Sequence, residues 1–138
     1  GQLPTTLPVN GVLNLTVEVG STTITAKGTV PDPSSVQSLL PAVDASAALA
    51  LQVQWQSALD PDFFVLMAEC ITCTTDFTSN RPGGERSFDI PPNSLEAGNN
   101  YSITVTGYRR GTFTGPADDQ SSMNIANAGS GMPISVVP

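Results

Sequence analysis

Apolar and polar residues alternate along several short stretches of this chain, and this period of two is typical of half-buried β-strands. One such stretch lies at 101–106, where Tyr101, Ile103 and Val105 point to one side while serine and threonine residues point to the other. The pattern predicts further strands at 12–19, 22–30, 49–55, 86–90 and 122–126, and residues 134–137 are either a last strand or the start of a linker.

A tight corner precedes the strand that begins at Tyr101. Leu95 and Gly98 lead into it, with an alanine between them. The small residue and the glycine let the chain turn, and the tyrosine can bury its ring while its hydroxyl bonds to the backbone of the corner. Such a corner is typical of immunoglobulin-like and fibronectin-III-like Greek-key β-sandwiches. We therefore predict an all-β sandwich of seven to eight strands, a fold that hosts many functions.

Trp55 ends the predicted strand 49–55, in which residues 49, 51, 53 and 55 face inward. We expect its ring to be an anchor of the core, because a large aromatic side chain buries much apolar surface. The inner face that we expect it to contact carries Leu15, Ile24, Ile103 and Val105.

Two regions lack a clear period. Residues 60–68 are apolar on both faces, which favours a strand covered on both sides, and a helix that begins at Asp60 and Pro61 is the alternative. Residues 32–48 fit a long loop as well as they fit a short helix, with Asp32 as its cap and Pro33 at its first position.

Three segments together resemble a known family of modules. Val30-Pro-Asp-Pro33, Leu51-Gln-Val-Gln-Trp55 and the run from Phe88 to Val105, which contains the corner, resemble the receptor-for-egg-jelly (REJ) modules and their relatives, the polycystic-kidney-disease (PKD) repeats. The resemblance covers about residues 22–106. Because these modules are extracellular Ig-like sandwiches of cell-surface and adhesive proteins, the resemblance implies a similar fold and setting for this chain.

The charge balance narrows the possible partners. The net charge of −7, with only five basic residues, opposes binding to nucleic acid, which needs clustered lysine and arginine. Arg109 and Arg110 are the only adjacent basic pair, and we expect them at a solvated strand tip. No apolar run approaches the ~20 residues of a membrane helix, so no membrane insertion is expected. We expect a Pro/Thr-containing leader or linker at 1–10 and one β-sandwich domain at 11–138. The chain is expected to be either a mature piece or a module cut from a longer protein.

The residue types present leave little room for catalysis. The chain has no histidine, which excludes Ser-His-Asp and Cys-His nucleophilic systems. Two carboxylate pairs, at 60/62 and 118/119, remain for two-carboxylate hydrolysis, but they lie in predicted loops where carboxylates are usually solvated. We therefore expect no enzymatic activity and no cofactor.

Cys70 and Cys73 are the only cysteines. A zinc site would need two further thiol or imidazole ligands, and the redox Cys-x-x-Cys motif normally opens a helix after a strand. In an extended strand the two Cα atoms would lie roughly 10 Å apart, too far for a bridge. We predict a disulfide across a turn at Ile71-Thr72, and two free thiols are the alternative.

Three aspartates are weak candidates for calcium binding. If 22–30, 49–55, 101–108 and 122–126 are strands B, C, F and G, the B–C and F–G loops share one end of the sandwich. Asp32, Asp118 and Asp119 would then be neighbours, and Ca²⁺ prefers clustered oxygen ligands. Since no Asp-x-Asp-x-Asp-Gly loop is present, solvated loops are the favoured interpretation and no metal site is predicted.

Asn14 and Asn100 each begin an N-glycosylation sequon and fall on the polar face of their strands. With the features above, they favour a non-enzymatic structural or adhesive module, secreted or at the cell surface, within a larger protein. Its expected partners are other protein modules or surface glycans. The alternative is a carbohydrate- or ligand-binding sandwich, for which Tyr108, Phe113 and Phe77 are the aromatic residues expected to be exposed.

Overall fold

The computed structural model describes residues 8–115, 123–127 and 131–138. Within these ranges the chain forms β-strands and no helix, so the prediction of an all-β protein is confirmed. The strands are β1 (Val12–Val19), β2 (Thr22–Thr29), β3 (Ser35–Leu40), β4 (Ala45–Ser46), β5 (Leu51–Gln56), β6 (Phe63–Cys70), β7 (Phe77–Pro82), β8 (Ser87–Ile90), β9 (Asn100–Arg110), β10 (Thr112–Thr114), β11 (Asn124–Asn127) and β12 (Met132–Val137).

The strands form three hydrogen-bonded sheets. The small sheet has the order β3-β5-β8, and the large sheet has the order β4-β12-β9-β6-β7. The long strand β9 pairs with β12 along its first half and with β11 along its second half. The hairpin sheet has the order β1-β2-β10. Neighbouring strands are antiparallel, except that β4 runs parallel to β12.

One hydrophobic core is shared by the small and large sheets, which fits a β-sandwich. Trp55 of β5 packs edge-on against Phe64 of β6, with 5.6 Å between the ring centroids. Alternate residues of each central strand point into this core because successive side chains of a strand face opposite sides. The buried members on the three central strands are Leu51, Val53, Trp55, Phe64, Leu66, Ala68, Cys70, Tyr101, Ile103 and Val105.

Residues 32–48 form strands β3 and β4, so neither the helix nor the long loop expected there is right. A β-bulge explains why the sequence pattern of this region did not indicate a strand. The register of β3 against β5 shifts between Val36 and Ser38, so the extra residue puts Val36 and Leu39 both in the core although they are three positions apart. A spacing of three mimics the period of a helix.

The expected contact of Trp55 with Leu15 and Ile24 is also wrong. Both residues belong to the hairpin sheet, outside the shared core, and Leu15 is 52% exposed. Ile103 and Val105 do belong to the core with Trp55. Alternation gives the faces of a strand but not the layer to which the strand belongs. Here β2 pairs with β1 and β10 in the hairpin sheet, and neither β1 nor β2 enters either sheet of the sandwich.

The remaining strand predictions differ mainly at their ends. The favoured strand at 60–68 is confirmed as β6, whereas Leu49, expected to face inward, is 68% exposed because β5 begins only at Leu51. The described residues form twelve strands instead of the seven to eight expected. Besides β3 and β4, two strands were not predicted, β7 and β10. β7 carries mostly polar residues and β10 has only three residues, so neither shows the alternation of apolar and polar positions that marks a strand.

Candidate functional site

The corner before β9 is built around the hydroxyl of Tyr101. The ring of Tyr101 is fully buried, and the backbone N–H of Glu96 donates to its Oη over 2.9 Å. Leu95 is buried beside it. Gly98 has φ +83°, a conformation that favours glycine, and its N–H donates to the carbonyl of Val136 over 2.7 Å. The corner therefore ties β9 to β12.

The two cysteines lie at the end of β6 and in the turn that follows. Their sulfur atoms are 1.96 Å apart and their Cα atoms 5.3 Å apart, so the pair has the separation of a disulfide. Thr72, inside the turn, accepts a hydrogen bond from the N–H of Asn100 over 3.0 Å. The Sγ of Cys73 lies 3.5 Å from the Oη of Tyr101. The turn closed by the cysteines thus packs against the corner, so the cysteine pair lies in a part of the fold that joins two structural elements.

The two sequon asparagines lie in different surroundings. Asn14 is exposed on β1. Asn100 is exposed at the start of β9, where its Oδ1 accepts a hydrogen bond from the Oγ of Ser135 over 2.8 Å. That bond leaves the amide nitrogen, the attachment point of a glycan, outside the contact.

Of the three calcium candidates, Asp32 alone lies within the described residues. Asp32 follows β2, which belongs to the hairpin sheet, so β2 and β5 are not the B and C strands on which the shared loop end depended. Asp118 and Asp119 lie outside the described residues. In the ranges 8–115, 123–127 and 131–138, no group of three or more His, Cys, Asp or Glu residues could hold a metal ion.

The carboxylates near β6 have structural partners. Asp60 forms an ion pair with Arg86, with 2.6 Å between Oδ1 and Nη2. Asp62 accepts a hydrogen bond from the backbone N–H of Arg110 over 2.6 Å. Each carboxylate therefore has a partner in a neighbouring segment of the chain.

The arginine pair was expected at a solvated strand tip, and this holds for Arg110, which is exposed at the end of β9, but not for Arg109. Arg109 is half-buried, and its Nη1 donates to Oδ1 of Asn10 over 2.9 Å and to Oγ1 of Thr29 over 3.1 Å. It thereby links β9 to the hairpin sheet. The guanidinium of Arg110 lies 5.3 Å from the ring centroid of Phe63, a distance that allows a cation–π contact.

The outer face of the large sheet is the most prominent candidate for contact with a partner. Phe63, Val65 and Met67 alternate with the core residues of β6 and are half-buried on the opposite side. Each of these three side chains is therefore partly exposed. Antiparallel sheets that face water on one side usually carry polar residues there. We define the outer face as Phe63, Val65 and Met67 of β6 with their cross-strand neighbours Thr104, Thr106 and Tyr108 of β9.

Threonines flank the apolar centre of the outer face. Val65 pairs with Thr106 and Met67 pairs with Thr104, so this centre carries no charge. At one end the rings of Phe63 and Tyr108 are stacked, with 5.1 Å between centroids and 5° between planes. Arg110 lies at the same end. This combination of apolar, hydroxyl-bearing and aromatic side chains can bind by shape and hydrogen bonds but supplies no nucleophile activated by a base.

The other aromatic residues expected to be exposed are less available. Phe77 stacks on Phe88, with centroids 6.4 Å apart, and packs against the core. Phe113 is half-buried on β10. Of the three, Tyr108 alone belongs to the outer face. The signal that could have located this face in the sequence was the apolar character of both sides of 60–68.

An open cleft of about 600 Å³ lies beside Trp55. The indole Nε1 of Trp55 is buried and has no hydrogen-bond partner among the described residues. Arg86, the charged residue of the cleft, is already paired with Asp60. The cleft therefore offers polar atoms but no group placed for proton transfer. Its lining comprises Pro33, Ser35, Trp55, Gln56, Ser57, Ala58 and Arg86.

Comparisons with known proteins identify no relative of this chain. No protein-family model matches it, and neither the curated proteins nor the solved structures give a match. Among the described residues, no helix is long and apolar enough to cross a membrane.

Proposed function

We propose that this chain is a non-enzymatic module that acts by surface contact within a larger extracellular protein, as a structural or adhesive element. The observation that carries the proposal is the outer face. This central strand is apolar on both sides, with one side in the core and the other partly exposed, and an apolar patch that remains accessible to solvent can serve as an interaction site. The occupant that fits is another protein module, since the centre of the face is uncharged and hydroxyl-bearing.

We further propose an immunoglobulin-like or fibronectin-III-like Greek-key sandwich, with the small sheet as one layer and the large sheet as the other. The orders β3-β5-β8 and β12-β9-β6-β7 support it, because each sheet collects strands that are distant in sequence. The corner at Tyr101 supports it as well. Membership of the REJ and PKD group is part of the same proposal and rests on the segments around Pro33, Trp55 and Tyr101.

The extracellular setting is supported by the cysteine pair. Disulfides persist in oxidising compartments and are rare in the cytosol. Asn14 adds to this, because a sequon on an exposed strand is open to glycosylation.

The test is binding of the isolated domain to a panel of purified extracellular domains, with variants that change the outer face. Val65→Lys and Met67→Lys should weaken binding at least tenfold, because each puts a charge into the apolar centre. Thr104→Lys leaves the apolar residues Phe63, Val65 and Met67 unchanged and places a longer, charged side chain beside them. Gln54→Lys, exposed on the small sheet, is the matched control and should bind like the wild type.

Two outcomes would contradict the proposal. One is binding that the outer-face lysines leave unchanged while they remain folded. The other is turnover in a hydrolase and oxidoreductase panel that is abolished by Asp60→Asn/Asp62→Asn or by Asp118→Asn/Asp119→Asn.

Carbohydrate binding is a second candidate function, favoured by the half-exposed ring of Tyr108 on the outer face. Sugars stack on the faces of aromatic rings, and one face of Tyr108 is already taken by Phe63. This reduces the ring surface left for a sugar. Binding on a glycan array that disappears in Tyr108→Ala, and that Val65→Lys does not affect, would favour this function over protein contact.

A further inference from the structure

Strand β1 forms an outer edge of the hairpin sheet. Among the described residues it pairs only with β2, in an unbroken antiparallel register from Val12–Thr29 to Val19–Thr22. Its other edge therefore presents backbone N–H and C=O groups to which another strand can bond.

The hydrogen bonds at the start of the hairpin show which residues face that edge. The N–H of Val30 donates to the carbonyl of Gly11 over 2.9 Å, whereas the N–H of Gly11 donates to the carbonyl of Pro8, so Gly11 and Val30 form one of the two bonds of a hydrogen-bonded pair. Such pairs alternate with non-hydrogen-bonded pairs in an antiparallel ladder. The odd-numbered residues of β1 consequently bond to β2, and the even-numbered ones point their N–H and C=O groups outward.

The side chains of β1 do not protect this edge. Natural edges are usually guarded by lysine, proline or a bulge, and β1 has none of these, with Glu18 as its single charge. On one face of the strand Val17 is 45% exposed and Val19 is 69% exposed, next to the half-exposed Leu15. An apolar, regular and unguarded edge is prone to pair with another strand.

We propose that β1 pairs with β1 of a second copy of this chain, antiparallel across a two-fold axis at Thr16. In this register Leu15 faces Val17 of the second copy and Leu13 faces Val19 of the second copy. The apolar row thus continues across the seam. The outward-pointing residues meet each other, so the ladder of hydrogen bonds also continues from one copy to the next.

The order of apolar and polar residues in β1 favours a second copy of this chain as the strand that pairs with this edge. Its apolar residues are placed symmetrically about Thr16, so the strand matches itself when reversed, as a two-fold interface requires. The chain carries a net charge of −7, which makes copies repel, but this register sets each Glu18 beside Asn14 and away from the other Glu18. A register centred on Leu15 would instead set Glu18 beside Val12.

The dimer should be weak. One strand pair buries less than the ~1,200 Å² of an ordinary stable interface, and we expect a dissociation constant of about 10⁻⁵ to 10⁻³ M. The inference goes beyond the proposed function, because it uses the hairpin sheet and holds whether or not the outer face binds a partner. It applies to the chain that carries no glycan at Asn14, since Asn14 lies in the seam.

Sedimentation equilibrium of the 138-residue chain, with the cysteines oxidised and Asn14 unglycosylated, should show a concentration-dependent dimer. Thr16→Pro removes an outward N–H without removing a bond to β2, and it should raise the dissociation constant at least tenfold. Thr16→Ala keeps the N–H and is the matched control. If Thr16→Pro is misfolded, Val17→Lys replaces it, with Thr23→Lys on the adjacent strand as its control.

Cross-linking tests the register. Thr16→Cys should form a linked dimer readily, because the facing Cα atoms are about 5.5 Å apart. Glu18→Cys alone should not, since its two copies are offset by four residues, roughly 13 Å, but a mixture of Asn14→Cys and Glu18→Cys should link.

The proposal is overturned if the chain stays monomeric at millimolar concentration, or if Thr16→Pro dimerises as well as Thr16→Ala. Linkage in a mixture of Asn14→Cys and Thr16→Cys, without linkage of Thr16→Cys alone, would overturn the register. A dimer that Val65→Lys abolishes and Thr16→Pro retains would assign self-association to the outer face, and so would overturn the inference while leaving the proposed function intact.

Discussion

Removing the hydroxyl of Tyr101 is a direct test of the corner. Tyr101→Phe keeps the buried ring and deletes only Oη, which accepts the N–H of Glu96 over 2.9 Å and lies 3.5 Å from Sγ of Cys73. A hydrogen bond of this kind contributes about 1 kcal/mol. Because Glu96 is at the surface, water can replace the lost acceptor, and we expect a loss of about 1 kcal/mol instead of the larger penalty for a dry donor.

Urea unfolding measures this loss, with an expected fall in the midpoint and an unchanged slope, since the surface exposed on unfolding stays the same. For a domain of this size the melting temperature should fall by roughly 3–5 °C. Tyr108→Phe is the matched control, because the hydroxyl of Tyr108 forms no hydrogen bond with the described residues and the ring is only half-buried. If both variants unfold like the wild type, or lose equal stability, the corner does not depend on this bond.

Three further predictions concern the core, the cysteines and one ion pair. Trp55→Ala should destabilise the domain by about 3–5 kcal/mol, the range for emptying a large aromatic site, and a near-wild-type melting curve would disprove its role in the core. Thiol titration of denatured, unreduced protein should find no free thiol, and two reactive thiols per chain would refute the bridge. Reduction of the Cys70–Cys73 bond should lower the free energy of unfolding by only ~1–2 kcal/mol, because the loop is short. The hydrogen bonds from Arg81 lower the pKa of Glu85, so this pair should stabilise the fold at neutral pH and lose that effect as the pH falls through the carboxyl's lowered pKa. Denaturant titrations of wild type and Glu85→Gln should therefore differ at pH 7 and converge in acid, and a constant difference would contradict the pairing.

The central strands were predictable because their local pattern and their tertiary role agree. In β9 every second residue from Tyr101 to Val105 is in the core, and the alternation alone places them there. The corner was predictable for a similar reason, since the turning glycine at 98 and the tyrosine at 101 act over a few residues of chain. Where an element depends only on its own sequence, periodicity is a sufficient guide.

The candidate surfaces were only partly predictable. Residues 60–68 show that β6 is apolar on both sides, but sequence alone assigns the second side to another layer instead of to the surface. The stacking of Phe63 on Tyr108 depends on the register of β6 against β9, which joins residues 45 positions apart. Arg109 likewise meets Asn10 and Thr29 only after the large sheet and the hairpin sheet have come together.

The hairpin gives the clearest case of a pattern that is right locally and misleading globally. β1 alternates as cleanly as any core strand, and burial in a sandwich is the usual consequence of that alternation. Here β1 lies at the edge of a separate sheet, so its apolar face is left largely in solvent. Alternation shows that a face prefers to be covered, and topology decides whether this chain covers it. In the described residues, the apolar face of β1 is open and lies beside backbone groups that no strand pairs with. A further strand would cover the face and pair with those groups. The symmetry of β1 about Thr16 makes a second copy the simplest source of that strand.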